Sequence, residues 1–338
     1  MTTRVAINGL GRIGRAALKL AHELPALQLV AVNDVAAADN LAYLLKYDSF
    51  YGRYAQAVSS DGDELRVGDE RYRVLNEEDP ARLPWAEMKI DLVLDCTGRF
   101  TTRAALHKHM DAGAKKVILS APAKDDGIPF MVFGVNEAFD ADMVSCASCT
   151  TNCAAPVLEV LGRRVGVAKA IMNTIHAYTI SQPVVDAPAK KWRRGRAAAL
   201  NFVPTTTGAA EATARVLPQF KDRFDGLAIR APVPVGSLVD ITLITERASS
   251  VKEINTIFEE EAASSRYEGI LGVARELIVS SDIIQDPRAS IVDLSQTHVV
   301  DGDLVKVMSW YDNEWGYAAQ MIRTAEHIAG SWAGGTSR

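Results

Sequence analysis

Residues 4–34 leave the chain the fewest ways to fold. A short apolar run, Val5-Ala6-Ile7-Asn8, leads directly into Gly9-Leu10-Gly11-Arg12-Ile13-Gly14, and Arg15 to Leu24 then carries apolar residues at helical spacing. A second strand-like run, Leu27 to Val32, ends in Asn33-Asp34. Strand, glycine turn, helix, strand and terminal acid in this order form the dinucleotide-binding unit. The glycines let the backbone approach a pyrophosphate, which faces the positive end of the helix. Asn8, Gly9 and Gly11 belong to that turn, and Asp34 is placed to accept hydrogen bonds from ribose hydroxyls. A carboxylate there repels a 2′-phosphate, so NAD is expected as cofactor ahead of NADP.

The alternation continues. Ile90 to Asp95 reads as a buried strand, Arg103 to Ala112 as a helix and Lys116 to Ser120 as another strand. Strands alternating with helices predict a parallel, doubly wound α/β sheet. Ligands bind beyond the carboxyl ends of such strands, where Thr97 and Ser120 fall. Residues 48–89 are turn-rich and are expected to elaborate the sheet edge. Beyond residue 166 the pattern changes. Val167 to His176 is strand-like, and 177–200 is a long basic loop. Leu227 to Arg230 and Leu238 to Glu246 read as antiparallel strands, because no helix separates them. An α+β second domain with a mostly antiparallel sheet is expected.

Chemistry concentrates in Ser145-Cys146-Ala147-Ser148-Cys149-Thr150-Thr151-Asn152-Cys153, which precedes an apolar, helix-compatible run. A cysteine at a helix start feels unpaired N–H groups and the positive end of the dipole, both of which favour the thiolate. Cys149 is the expected nucleophile, and His176 the imidazole that stabilises it as an ion pair and moves its proton. Beside a dinucleotide, such a thiol has a definite task. It adds to an aldehyde, the hydride leaves, and a thioester remains for phosphate or water to take. Ser148 and Thr150, Thr207 and Gly208, and Thr179 with Ser181 and Arg230 are three candidate phosphate sites. Zinc is not expected, because three clustered cysteines and the distant Cys96 do not make two ligand pairs.

Composition excludes other classes. The 338 residues are 48% hydrophobic and 23% charged, with a net charge of −5. That balance gives no reason to expect nucleic acid as the main partner, and the basic cluster Lys190 to Arg196 reads as a solvated loop or subunit contact. No signal-peptide layout or membrane-length apolar run occurs, and four cysteines without one suggest a reducing, cytoplasmic setting.

Four motifs together resemble the phosphorylating glyceraldehyde-3-phosphate dehydrogenase family over nearly the whole chain. They are Ala6 to Arg15, Ala147 to Cys153, Pro204 to Ala210, and Trp310-Tyr311-Asp312-Asn313-Glu314-Trp315-Gly316-Tyr317. The resemblance implies Cys149 as nucleophile and His176 as its base. It implies Arg12, Ile13, Asp34, Ser120 and Asn313 at NAD, with Asn313 holding the nicotinamide amide. It implies Thr179 and Arg230 at the substrate phosphate, and Ser148, Thr150, Thr207 and Gly208 at the attacking inorganic phosphate. It further implies a homotetramer, with loop 177–200 between subunits. The expected division is residues 1–148 with 313–338 as a Rossmann NAD-binding domain, and 149–312 as the catalytic domain. Three rivals stand beside it: erythrose-4-phosphate dehydrogenase, in which water takes the thioester; a non-catalytic NAD-sensing or RNA-binding protein; and a Cys–His hydrolase.

Overall fold

A computed structural model describes residues 2–334. The chain divides into two compact units. One holds the chain up to Met131, Ala138–Ala147 and the chain from Met321 on; the other holds Val132–Glu137 and Ser148–Gln320.

The first unit opens with β1 (Thr3–Asn8), α1 (Arg12–His22), β2 (Leu27–Asn33) and α2 (Ala38–Lys46). A small hairpin follows, β3 (Tyr47–Asp48) and β4 (Gly52–Arg53), then β5 (Val58–Asp61), β6 (Glu64–Val67) and β7 (Glu70–Leu75). The unit continues with β8 (Leu92–Asp95), α3 (Arg103–Asp111), β9 (Lys116–Leu119) and β10 (Met143–Ser145). Eight strands form one sheet in the order β10-β9-β8-β1-β2-β7-β6-β5. Pairings from β10 across to β7 are parallel, and β5 and β6 add an antiparallel edge. This is the doubly wound sheet expected from the alternation. β8 and β9 are buried at every residue, as strands covered on both faces must be. The strand order reverses between β1 and β8, so the ligand crevice of such a sheet lies beyond Asn8 and Asp95.

The glycine turn fixes the start of α1. Gly9 has φ +92, and a Cβ there would stand 2.9 Å from the Thr97 nitrogen. A Cβ on Gly14 would land on the Gly9 carbonyl oxygen, so helix and strand approach closer than any side chain permits. The helix therefore begins at Arg12, inside the glycine run and earlier than its apolar spacing suggests.

The second unit starts with α4 (Cys149–Arg164) and β11 (Val167–Ala177), then β12 (Val203–Thr206), α5 (Ala209–Val216), β13 (Phe224–Ala231) and β14 (Ser237–Thr245). It continues with α6 (Val251–Ala262), β15 (Leu271–Ala274), β16 (Ser290–Asp293), β17 (His298–Val300) and β18 (Leu304–Tyr311), and α7 (Trp315–Gly334) begins in it. Its sheet runs β12-β13-β11-β14-β18-β16-β15, with β17 also on β18. Most pairings are antiparallel, as expected, but β13 and β14 are not partners. β11 lies between them, parallel to β13 and antiparallel to β14. Both edges of β13 are taken, by β11 and β12, so β14 pairs on the far edge of β11.

α4 is buried from Thr150 through Leu161 and packs against α5, β16 and β18. A helix apolar all round belongs in the middle of a core. The start of α7 stays with this unit, in contrast to the expected boundary at 313. Asp312 accepts from the Glu314 and Trp315 N–H groups, and the Gln320 amide donates to the Gly269 and Pro287 carbonyls. Residues 335–338 of the expected first domain lie outside the described residues.

The glycine packing makes a testable contrast. Gly14→Ala is expected to cost about 2–3 kcal/mol in urea unfolding, since the clash is with backbone that cannot step aside. Gly11→Ala, which meets nothing within 4 Å, should stay within about 0.5 kcal/mol of the parent.

Candidate active site

In the first unit, Asn8, Gly9, Gly11, Asp34 and Thr97 line one cleft of ≈ 220 Å³ at the reversal of strand order. The cleft lies where a sheet of this kind receives a nucleotide. Gly11 caps α1 without a side chain, and its open flank leaves the main chain accessible to a pyrophosphate. Asp34 is held in place by its own backbone: Leu10 N–H donates to Oδ2 at 2.7 Å and Ala36 N–H to Oδ1 at 3.0 Å. Glu77 and Glu78 add two carboxyl side chains to the same wall. Sequence reasoning passed over Glu77, which is anchored by Asn33. The Asn33 amide donates to the Glu77 carbonyl and accepts from its N–H. A polar residue ending a buried strand just before Asp34 was the available signal.

The other cofactor candidates fall differently. Arg12 and Ile13 open α1, but the Arg12 side chain is already committed. It pairs with Asp48 at 2.5 Å and lies over the Phe50 and Tyr51 rings. What Arg12 can offer a cofactor is backbone. Burial works to raise the Asp48 carboxyl, yet the Phe50 and Tyr51 N–H groups and Arg12 outweigh it and hold the carboxyl below its usual range. Ser120 follows β9 with its side chain at the Cys96 thiol. Asn313 lies in the second unit, where its Oδ1 accepts from the Ser237 hydroxyl at 2.9 Å.

The second unit assembles the reactive groups. Ser148 caps α4, accepting from the Thr151 N–H, so Cys149 takes the first helical position. Its Sγ stands 3.4 Å from His176 Nε2. Parallel register sets His176 of β11 opposite Arg230 of β13, and Arg230 Nη1 comes within 2.6 Å of His176 Nδ1. Both nitrogens converge on the Ala177 carbonyl, at 2.7 and 2.8 Å. Arg230 can only donate; in the tautomer that gives the Nδ1 proton to the Ala177 carbonyl, with Nη1 spending its own hydrogen on the same oxygen, the Nε2 lone pair faces the sulfur.

Burial acts against the thiolate that the helix start and the imidazole are expected to favour. Burial pushes the Cys149 thiol up, against Arg230, the Thr150 hydroxyl and the helix-start N–H groups. Burial, with Arg230 second, draws His176 down to about 3. Taken singly, each charge is opposed. Proton transfer from Sγ to Nε2 creates both charges together, and each is then the counter-ion that burial demands of the other. Neither group readily takes its charge without the other.

The phosphate candidates sit at several elements of the second unit. Thr150 is buried, and its hydroxyl lies 2.9 Å from that of Tyr311. Thr179 pairs with Ser181 at 2.9 Å. Thr207 accepts from the Ala209 N–H at the head of α5, next to Gly208. The basic loop contributes more than a solvated surface. Arg194 Nε donates to the Thr205 hydroxyl, and its charge also depresses His176. Among the described residues no cluster of three or more His, Cys, Asp or Glu could hold a metal ion.

A parallel sheet with a glycine cradle and a ribose carboxylate, in a chain that also pairs a helix-start thiol with an imidazole, defines a dinucleotide-linked oxidoreductase that works through cysteine. Comparison with known proteins narrows the class. Residues 3–103 match the family model of the glyceraldehyde 3-phosphate dehydrogenase NAD binding domain, and 148–313 match that of the C-terminal domain. The chain is 46% identical over 327 residues to glyceraldehyde-3-phosphate dehydrogenase of Streptomyces coelicolor, covering 95% of this chain and 97% of that protein. It is 45% identical over 333 residues to glyceraldehyde-3-phosphate dehydrogenase 1 of Bacillus subtilis, covering 97% and 99%. It is 47% identical over 332 residues to the Mycobacterium leprae enzyme of the same name, covering 95% and 97%. The chain belongs to the glyceraldehyde-3-phosphate dehydrogenase family.

The Arg12–Asp48 pair makes a pH prediction. A carboxyl depressed on folding adds stability that is full above its unfolded value, 3.8, and is lost as pH falls through the folded value. Asp48→Asn is expected to cost about 1 kcal/mol in urea unfolding at pH 7, with the gap to the parent closing below that value.

Proposed function

We propose that the chain catalyses the NAD-dependent oxidation of D-glyceraldehyde 3-phosphate to 1,3-bisphosphoglycerate. The carrying observation is the 3.4 Å approach of Cys149 Sγ to His176 Nε2 at the start of a buried helix. His176 takes the thiol proton, and the sulfur adds to the aldehyde carbon to give a thiohemiacetal. His176 then handles the hydroxyl proton as a thioester forms on Cys149. NAD supplies the acceptor for the departing hydride. Inorganic phosphate attacks the thioester, forming the acyl phosphate and returning the free thiol.

Asn8, Gly9, Gly11, Arg12, Ile13, Asp34, Thr97, Ser120 and Asn313 serve the cofactor in this reading. Thr179 and Arg230 take the substrate phosphate. Ser148, Thr150, Thr207 and Gly208 take the attacking one, and the intact Thr205-Thr206-Thr207-Gly208 run favours phosphate over water as acceptor. The protein works as a cytoplasmic homotetramer. Support comes from loop 177–200, which leaves Ile180, Val184, Val185 and Trp192 exposed, an apolar surface suited to burial between subunits. No described helix is long and apolar enough to cross a membrane.

Initial rates decide the acceptor. NADH formation from glyceraldehyde 3-phosphate should require inorganic phosphate and fall at least about 10³-fold in Cys149→Ser. Turnover that ignores phosphate would point to erythrose-4-phosphate dehydrogenase chemistry instead. Asp34→Ser should raise the KM for NAD about tenfold and lower that for NADP, read from the same assay with both cofactors.

A further inference from the structure

Asn313 is the proposed partner of the nicotinamide amide, and its own amide has two unlike ends. Turning it over exchanges an acceptor for a donor at little steric cost. The packing around Asn313 decides between the two. Asn313 is 5% exposed and Ser237 1%. Ser237 Oγ stands 2.9 Å from Asn313 Oδ1, and the Ala177 N–H donates to the same Oγ at 3.1 Å.

Proton counting orients these bonds. A backbone N–H can only donate, so Ala177 occupies a lone pair of the Ser237 hydroxyl. The hydroxyl has one hydrogen to give, and Asn313 is its remaining partner among the described residues. Turned the other way, the amide would aim its own hydrogens at an oxygen already receiving one. The hydroxyl hydrogen would then lose its acceptor in a buried place. Oδ1 therefore faces Ser237. Nδ2 keeps both its hydrogens and has no partner among the described residues.

The fold holds Ser237 in this position. It opens β14 and lies opposite Tyr311 of β18, which precedes Asn313 by two residues. The chain reaches Ser237 through Gly236, whose φ of +87 favours glycine and where a Cβ would collide with the Ser280 carbonyl oxygen. The Ala177 main chain meets the His176 imidazole through its carbonyl and Ser237 through its N–H. We propose that Ser237 is a positioning residue for the nicotinamide end of the cofactor: its hydroxyl locks the Asn313 amide with the Nδ2 donor presented, so that the carboxamide is taken by its oxygen. The proposal rests on the reading of Asn313 as the carboxamide's partner, and goes beyond it in naming what orients that partner.

The experiment is calorimetric titration of the nucleotide-free chain with NAD and with ADP-ribose, which is NAD without its nicotinamide. Ser237→Ala is expected to raise the Kd for NAD about fivefold and to leave that for ADP-ribose within about twofold. In an Asn313→Ala background, Ser237→Ala should move the ratio of the two Kd values by less than about twofold, because its effect runs through the missing amide. A Ser237→Ala chain with the parent's ratio overturns the proposal, as does an undiminished effect in the Asn313→Ala background. Ser237→Ala also takes a buried acceptor from the Ala177 N–H. Should it not fold, Ser237→Cys, close in shape but a much weaker donor, is judged by the same criteria. Asn313→Ala alone separates the two readings. If its ratio equals the parent's, Asn313 is not the carboxamide's partner, and the proposal falls with that reading. If its ratio rises while that of Ser237→Ala does not, the proposal alone falls.

Discussion

A sulfur and a ring nitrogen can trade a proton only while their carriers keep station. Cys149 rides the first turn of α4 and His176 rides β11, so 3.4 Å between them is a relation between a helix and a sheet. The surrounding architecture of the second unit maintains that relation. α4 is sunk in apolar packing from Thr150 to Leu161, which leaves it no soft side along which to slide. β11 is gripped by β13 on one edge and β14 on the other. Burial then makes the pair interdependent, since neither group readily carries charge without the other.

The first unit solves a different problem with a different material. Its cleft is built where the strand order turns, from glycines on one side and strand-end polar side chains on the other. Asn8 and Asn33 hydrogen-bond to one another, and Asn8 also donates to the buried Asp95. Asp95 in turn receives the Thr97 N–H and hydroxyl. A carboxylate with 0% exposure is tolerable only with such a ring of donors around it. The same ring fixes the strand ends that face the nucleotide.

How much of this was legible from residues alone follows from the range of each interaction. The βαβ unit was legible because its signals are local: period-two apolar runs, a glycine turn, an acid at fixed spacing. Cys149 and His176 were legible because thiol and imidazole have few other uses beside a dinucleotide fold. The pairing of β13 with β11 was not, because sheet partners are chosen by non-local packing and a short connection reads like a hairpin. The hydroxyl partners of Tyr311 were hidden for the same reason: they lie 161 and 137 residues away. Arg12 shows what a local motif leaves out. Its place in the motif was evident, but Asp48 and two aromatic rings claim its side chain, and no local pattern announces that.

The glycine cradle has a consequence for how this family can diverge. Under the pyrophosphate site the floor is main chain, and main chain is the same whichever amino acids surround it. Drift in sequence has little purchase at Gly9 and Gly14, where an added Cβ would meet backbone at 2.9 Å or closer. Variation is left to open positions such as Gly11 and to the rim, where Asp34, Glu77 and Glu78 line the cleft. Lineages can thus retune which nucleotide they accept by edits at the margin, while the part that recognises nucleotides at all stays frozen.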